Sequence, residues 1–161
     1  MFKRFLPILV AVSLLVGVIG ATSGVAFAAG VKLPPTATKS AGLNFGFQGF
    51  WSHNPNFAND VSVYRFIGKS MGVSGVKFVR PIMILDKGKD KKGDKLSGPA
   101  YVYSYLTGPE AKNISNYAWY YRSGGTGGWT KLATRLEKGP NGDRAVAEVK
   151  GYGWYALGIT E

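Results

Sequence analysis

The sequence predicts an all-β protein, an antiparallel β-sandwich preceded by an N-terminal hydrophobic export helix. Of its 161 residues, 23 are Gly and 22 are aromatic (9 Phe, 9 Tyr and 4 Trp), which is typical of short strands joined by tight turns. Short β-rich runs recur along the chain with turn residues between them. After Val31 no run shows a helical apolar stripe of three turns.

The first residues have the pattern of an export signal. Lys3 and Arg4 form a basic start, no charge follows until after Val31, and Ala26-Phe27-Ala28 is the small-x-small pattern that signal peptidases cut. We therefore expect residues 1–28 to be a cleaved signal peptide. A retained membrane anchor is the alternative, because an uncharged run of this length could span a bilayer core of ~30 Å. Both predict a secreted or cell-surface location.

Removal of residues 1–28 would leave 133 residues, a single-domain length, with a net charge of +9 instead of +11. Residues 29–44 are rich in Pro, Thr and Ser and include Pro34-Pro35, which favours a stiff, extended conformation. We predict a linker there and the β-sandwich domain over 45–161.

Within that domain, residues 45–60 mix Gly with aromatics without a clear period, so they predict a loop. The longest apolar strand candidate is Val76–Leu85, where Pro81 cannot donate to a ladder and predicts an edge position or a bulge. The other predicted strands are Val61–Ile67, Ala100–Leu106, Tyr117–Arg122, Trp129–Leu136, Ala145–Lys150 and Trp154–Ile159.

The turns between these strands have characteristic residues. Ser123–Gly128 and Lys138–Asp143 contain the Gly and Asn that accept a positive φ, which predicts hairpins. Asp86–Lys95 carries three Asp among five Lys, and its acids do not have the alternating spacing of a calcium loop. It predicts a charged hairpin tip.

Several classes of chemistry are excluded by composition. The chain has no Cys and one His, which excludes disulfide scaffolds, Cys-ligated metals, thiol nucleophiles and sites built on several imidazoles. His53 stands in the predicted loop, and the acids lie mostly in turns or at strand ends. The sequence therefore predicts no enzyme and no catalytic, cofactor or metal site.

The C-terminal part has an ordered pattern over residues 120–158. It contains Trp129-x-x-Leu132-x-Thr134, a valine-alternating strand at 145–149 and a closing Gly151-Tyr152-Gly153-x-Tyr155-Ala156-Leu157. This resembles the last three strands of ZU5-like and related bacterial cell-surface β-sandwich domains. The resemblance implies an Ig-like or ZU5-like sandwich in a surface context. It implies no catalytic residue, because Gly151-Tyr152-Gly153 stands where some relatives carry a His-Phe-Ser autoproteolysis site.

Two aromatic-rich strands supply the candidate binding groups. Alternating residues of a strand share a face, so pairing of the two strands would place up to six rings together. Such a face could bind sugars, aromatic polymers or a neighbouring subunit. It could equally stabilise the sheet through cross-strand pairs or form the core. The six are Tyr101, Tyr103, Tyr105, Tyr117, Trp119 and Tyr121.

The basic excess is the second candidate feature. An exported domain of charge +9 would be attracted to anionic cell-wall polymers, lipids or polysaccharides, and export makes nucleic acid an unexpected ligand. The sequence predicts binding or assembly at a surface, with two specific alternatives: a carbohydrate-binding module using an aromatic face, or a structural subunit of an extracellular layer or filament. The densest basic cluster is Lys87, Lys89, Lys91 and Lys92.

Overall fold

The structure, a computed structural model, describes residues 31–68, 72–89, 93–124 and 127–160. The predicted export helix and cleavage site lie outside these residues. The described residues form eleven strands: β1 (Thr38–Lys39), β2 (Gln48–Ser52), β3 (Val61–Phe66), β4 (Val76–Phe78), β5 (Ile82–Lys87), β6 (Ala100–Tyr105), β7 (Tyr117–Ser123), β8 (Thr130–Lys131), β9 (Thr134–Gly139), β10 (Gly142–Glu148) and β11 (Gly153–Thr160).

The strands form two sheets in which all pairings are antiparallel, so the all-β prediction is confirmed. Sheet A has the order β1-β3-β5-β11-β7-β8, and β4 pairs with β11 beside β5. Sheet B has the order β2-β6-β10-β9. The chain passes from sheet A to sheet B between Lys131 and Thr134, where the sequence predicted one continuous strand.

The main core lies between the two sheets, in a sandwich-like arrangement. Sheet B contributes Phe50, whose ring meets the Tyr155 ring of sheet A edge-on at 5.4 Å between centroids. Trp119 of sheet A is fully buried, and its Nε1 donates to the Ala145 carbonyl of sheet B at 3.1 Å. Small residues at Ala145 and Ala147 leave room for these large rings. Burial of this apolar surface is the main stabilising force of the fold.

Two short helices connect the strands. α1 (Phe57–Asp60) precedes β3, and its Phe57 is buried in the main core. α2 (Gly108–Lys112) begins with a capping box in which Thr107 and Glu110 satisfy each other's backbone groups. The Glu110 carboxylate also binds Arg80 at 2.7 Å, which ties α2 to the connection between β4 and β5.

That connection contains Pro81 and is a bulge. Phe78 of β4 pairs with Gly158, and Met83 of β5 pairs with Tyr155, so residues 79–82 lie opposite only residues 156–157 of β11. The bulge predicted from Pro81 is therefore present. Pro has no N–H to contribute to a ladder, and its carbonyl accepts a hydrogen bond from Gln48 Nε2 at 3.3 Å instead.

A second apolar cluster covers the outer face of sheet A. It consists of buried Ile82, Ile84, Trp154 and Ala156 with Val31 packed on them. The predicted linker segment runs along this region: β1 pairs with β3, and the Val31 N–H donates to the Asp86 carboxylate at 3.0 Å. Residues 31–44 therefore contact the sandwich along their length.

Trp129 belongs to this outer cluster. Three other residues of the same C-terminal pattern, Leu132, Tyr155 and Leu157, are buried in the main core. Trp129 is instead half-buried and packs edge-on against Phe78 at 5.0 Å between ring centroids. It precedes the two-residue strand β8 at the edge of sheet A, where no second sheet covers it.

Candidate binding surface on sheet B

The outer face of sheet B carries an aromatic surface built on β6. Along this strand Ala100, Val102 and Ser104 are fully buried and face the interior. The intervening Tyr101, Tyr103 and Tyr105 therefore share the outer face, as their alternation predicts. Tyr103 is almost covered, with 8% of its surface exposed, whereas Tyr101 and Tyr105 are partly exposed.

A Trp from the neighbouring strand extends this surface. Trp51 of β2 pairs with Tyr101, and the two rings stack with centroids 4.5 Å apart and an interplanar angle of 26°. His53 contacts Trp51 edge-on at 4.9 Å. Trp51 was not among the predicted binding residues, because β2 lies in the segment predicted as a loop. The signal that could have found it is the adjacent pair Phe50-Trp51, in which Phe50 is buried and Trp51 is partly exposed on the opposite face.

Two arginines lie across these rings. The Arg144 guanidinium carbon is 5.3 Å from the Trp51 ring and 5.4 Å from the Tyr103 ring. The Arg135 guanidinium carbon is 5.2 Å from the Tyr101 ring. At these distances the cations are attracted to the ring faces. We call this surface the ring–arginine face; it consists of Trp51, His53, Tyr101, Tyr103, Tyr105, Arg135 and Arg144.

Glu137 holds both guanidinium groups in position. Its Oε1 is 2.5 Å from Nη2 of Arg135, and its Oε2 is 3.2 Å from Nη2 of Arg144. All three residues lie on the outer face, because Arg144 pairs with Glu137 and Val146 pairs with Arg135. Arg144 is well covered and Arg135 is half exposed, with 15% and 50% of their side chains accessible. Arg135 is therefore the cation that a bound molecule could reach.

Two glycines let the tyrosine rings lie close to the sheet. A Cβ at Gly49 would come within 2.9 Å of the Tyr103 hydroxyl and 2.7 Å of the Leu43 carbonyl oxygen. A Cβ at Gly139 would come within 2.9 Å of the Tyr105 ring. Burial, and the neighbouring Tyr105, raise the pKa of Tyr103, whereas Arg144 works to lower it. The face thus combines closely packed tyrosine rings with two guanidinium groups that Glu137 holds.

The structure does not bring the six predicted aromatics together. β6 and β7 lie in different sheets, so the condition for a shared six-ring face is not met. Trp119 is fully buried between the sheets, and Tyr117 and Tyr121 pack partly buried against the same core. The physical reason is that β7 turns this side toward sheet B, where large rings fill the space above Ala145 and Ala147.

Two members of the predicted lysine cluster are described: Lys87 is the last residue of β5, and Lys89 follows two residues later. Lys87 is partly covered and its Nζ is 3.3 Å from the Asp94 carboxylate. Lys89 is exposed. Lys91 and Lys92 lie outside the described residues. The structure thus places the described part of the cluster apart from the ring–arginine face, after a strand of sheet A.

The described residues also bear on metal binding and on membrane insertion. No three His, Asp or Glu side chains there converge to hold a metal ion. None of the helices in the described part of the chain has the length and apolar character that a bilayer crossing requires.

Comparison with protein-family models, curated proteins and solved structures finds no match for this chain.

Proposed function

We propose that this protein is an exported, non-catalytic β-sandwich domain that binds a surface polysaccharide through the ring–arginine face. The observation that carries the proposal is the stack of Trp51 on Tyr101 with guanidinium groups against both rings. These side chains project from an outer sheet face. Rings with polar edges suit a ligand that offers both C–H surfaces and hydroxyl groups, as a sugar chain does.

The rigidity of the face favours binding. Each ring is fixed by a neighbouring ring, a guanidinium group or an underlying glycine, so little side-chain freedom is lost when a ligand docks. Within the described residues, the contacts of Arg135 go to Glu137 and Tyr101, and half of its side chain is accessible. Its remaining N–H groups can donate to a hydroxyl or carboxylate of the sugar.

The net positive charge of the domain favours an anionic polymer, but most of this charge lies outside the ring–arginine face. The outer face of sheet B has Arg135 and Arg144 balanced by Glu137 and the exposed Glu148. The excess of +9 after removal of residues 1–28 is spread over the rest of the domain. We therefore assign the short-range affinity to the rings and the long-range attraction to the basic surface. Salt should weaken the long-range attraction, because ions screen exposed charges over ~8–10 Å.

Export and the fold type are part of the proposal. Lys3, Arg4, the uncharged run to Val31 and Ala26-Phe27-Ala28 support a signal peptide, with a membrane anchor as the alternative. The two antiparallel sheets and the closing strand with Tyr155 and Leu157 support an Ig-like or ZU5-like domain. Surface domains of this kind work by binding or assembly.

The test is retention of the purified protein on cell-wall material of its source across a salt series. Loss of the Trp51 ring should remove about 1–2 kcal/mol of stacking and cation–π energy, a ~5–30-fold weaker affinity that persists at high salt. Trp129→Ala is the matched control, because that half-buried ring lies on the outer face of sheet A. Equal retention of Trp51→Ala and the original protein would contradict the proposal.

Fluorescence provides a second readout. The chain has four Trp, and Trp119 and Trp154 are buried while Trp129 lies on the other sheet. A change in emission on adding the polysaccharide should therefore come from Trp51. Trp51→Phe should abolish that change and keep most of the retention, since it preserves an aromatic ring.

A further inference from the structure

Within the part of the chain that the structure describes, no strand pairs with the outer edge of β9. It is the last strand of sheet B and is six residues long. At the opposite edge, residues 43–45 cover β2, since the Phe50 N–H donates to the Leu43 carbonyl and the Phe45 N–H donates to the Gln48 carbonyl. The strands of sheet A with a single described partner strand are shorter: β1 and β8 have two residues each, and β4 has three. Among the described strands, β9 is thus the long edge open to another strand.

The hydrogen bonds of β10 show which backbone groups of β9 point toward the free edge. The Asp143 carbonyl accepts from the Leu106 N–H, and the Val149 N–H donates to the Ala100 carbonyl, so odd-numbered residues of β10 bond toward β6. Even-numbered residues such as Arg144 and Val146 therefore bond toward β9, to Glu137 and Arg135. This leaves the N–H and C=O groups of Thr134, Leu136 and Lys138 directed at the free edge.

We propose that β9 pairs with β9 of a second copy of this chain, antiparallel and symmetric about Leu136. In this register Leu136 faces Leu136 of the other copy, and Thr134 faces Lys138. All three edge-directed residues then meet edge-directed residues, which allows about six backbone hydrogen bonds between the copies. The result is one continuous eight-stranded sheet made of two copies of sheet B.

Charge selects this register. With Leu136 at the centre, Arg135 of each copy lies opposite Glu137 of the other. A shift by two residues in either direction would place Arg135 opposite Arg135 or Glu137 opposite Glu137. Opposite charges across a strand pair stabilise it and like charges destabilise it. The segment Thr134–Lys138 is thus self-complementary in the symmetric register.

A groove with both apolar and polar lining residues lies beside the edge and supports a second copy as the occupant. Leu136 lies on the inner face of sheet B, opposite Ala145, yet 40% of it is exposed. It lines a groove of about 410 Å³ with Ile114, Tyr117, Ala118 and Leu132 among the lining residues. In the symmetric pair, two leucines meet at the mouth of this groove and cover each other.

The first test is a single-cysteine cross-link in the full-length protein. The chain has no Cys, so Leu136→Cys introduces its sole thiol. Directly opposed hydrogen-bonded residues have Cα atoms ~5.5 Å apart, which matches disulfide geometry. We expect rapid oxidative dimerisation of Leu136→Cys and little of the control Glu148→Cys, an exposed residue on β10. Equal cross-linking of both variants, or none at Leu136→Cys, overturns the proposal.

The second test reverses the charges and uses sedimentation velocity over a concentration series. Arg135→Glu and Glu137→Arg should each shift the protein toward monomer, because like charges then face each other. The double variant should restore the dimer. The proposal is overturned if the original protein sediments as a monomer at all concentrations. It is also overturned if the double variant is as monomeric as the single variants. Circular dichroism checks that each variant folds, and the cross-link variant does not depend on these charges.

Discussion

The hydroxyl group of Tyr155 offers the sharpest test of how the core is held together. The side chain is fully buried, and its hydroxyl donates to the Gly151 carbonyl at 2.5 Å. It also accepts from the Lys150 N–H at 3.1 Å and the Gly151 N–H at 3.2 Å. One oxygen atom thus fixes the turn between β10 and β11. Tyr155→Phe removes this atom and keeps the ring packed on Phe50.

The expected loss of stability follows from these three bonds. Each hydrogen bond contributes about 0.5–1.5 kcal/mol, so together they are worth about 1.5–4.5 kcal/mol. Lys150 is exposed and Gly151 is partly exposed, so water can replace part of what is lost. We therefore expect a loss of about 2 kcal/mol in the free energy of unfolding. For a domain of this size that corresponds to a fall in Tm of about 6–10 °C.

The measurement is urea unfolding followed by Trp fluorescence. Tyr121→Phe is the matched control, because its ring lies 5.1 Å from that of Tyr155 and, among the described residues, its hydroxyl donates one hydrogen bond, to the Tyr152 carbonyl at 3.1 Å. The control should lose about 1 kcal/mol or less. If both variants lost the same stability, the hydroxyl of Tyr155 would not be the element that fixes this turn.

Three further predictions concern stability and pH. Trp119→Ala should remove ~3–5 kcal/mol, much of a total of ~5–15 kcal/mol, and unfold the protein at a markedly lower urea concentration. Burial raises the pKa values of Tyr103, Tyr152 and Tyr155 above 10.0, so stability should be full below that pH and fall as pH rises beyond it, less steeply in Tyr155→Phe. Burial works to raise the pKa of Glu110, but hydrogen bonds from Thr107 and Arg80 outweigh it and lower the pKa below 4.5. Stability should therefore fall as pH drops below 4.5, and Glu110→Gln should weaken that dependence in acid unfolding curves.

The strands of β6, β7 and β11 could be predicted from sequence because their alternation and turn residues are local signals. The bulge at Pro81 was also predictable, since a missing N–H is a property of the residue itself. β2 was not, because Gly49 interrupts its pattern and its pairing with β6 joins residues 48 and 104, far apart in sequence.

The binding surface was predictable only within one strand. The shared face of Tyr101, Tyr103 and Tyr105 follows from the two-residue period of β6. Which strands lie beside β6 depends on the whole topology, so sequence reasoning joined it to β7 where the fold joins it to β2 and β10. Arg135 and Arg144 were therefore not predicted as binding residues, because in the sequence they are only charged residues on either side of a hairpin turn.

The position of β11 sets the order of events during synthesis. This strand is the last described element, yet it pairs with β4, β5 and β7 in the middle of sheet A. Sheet A therefore cannot close until residue 160 has left the ribosome, and earlier segments have no central strand to pair with. The topology thus makes β11 the strand that completes sheet A, and a chain cut before Gly153 would leave β4, β5 and β7 without their shared partner.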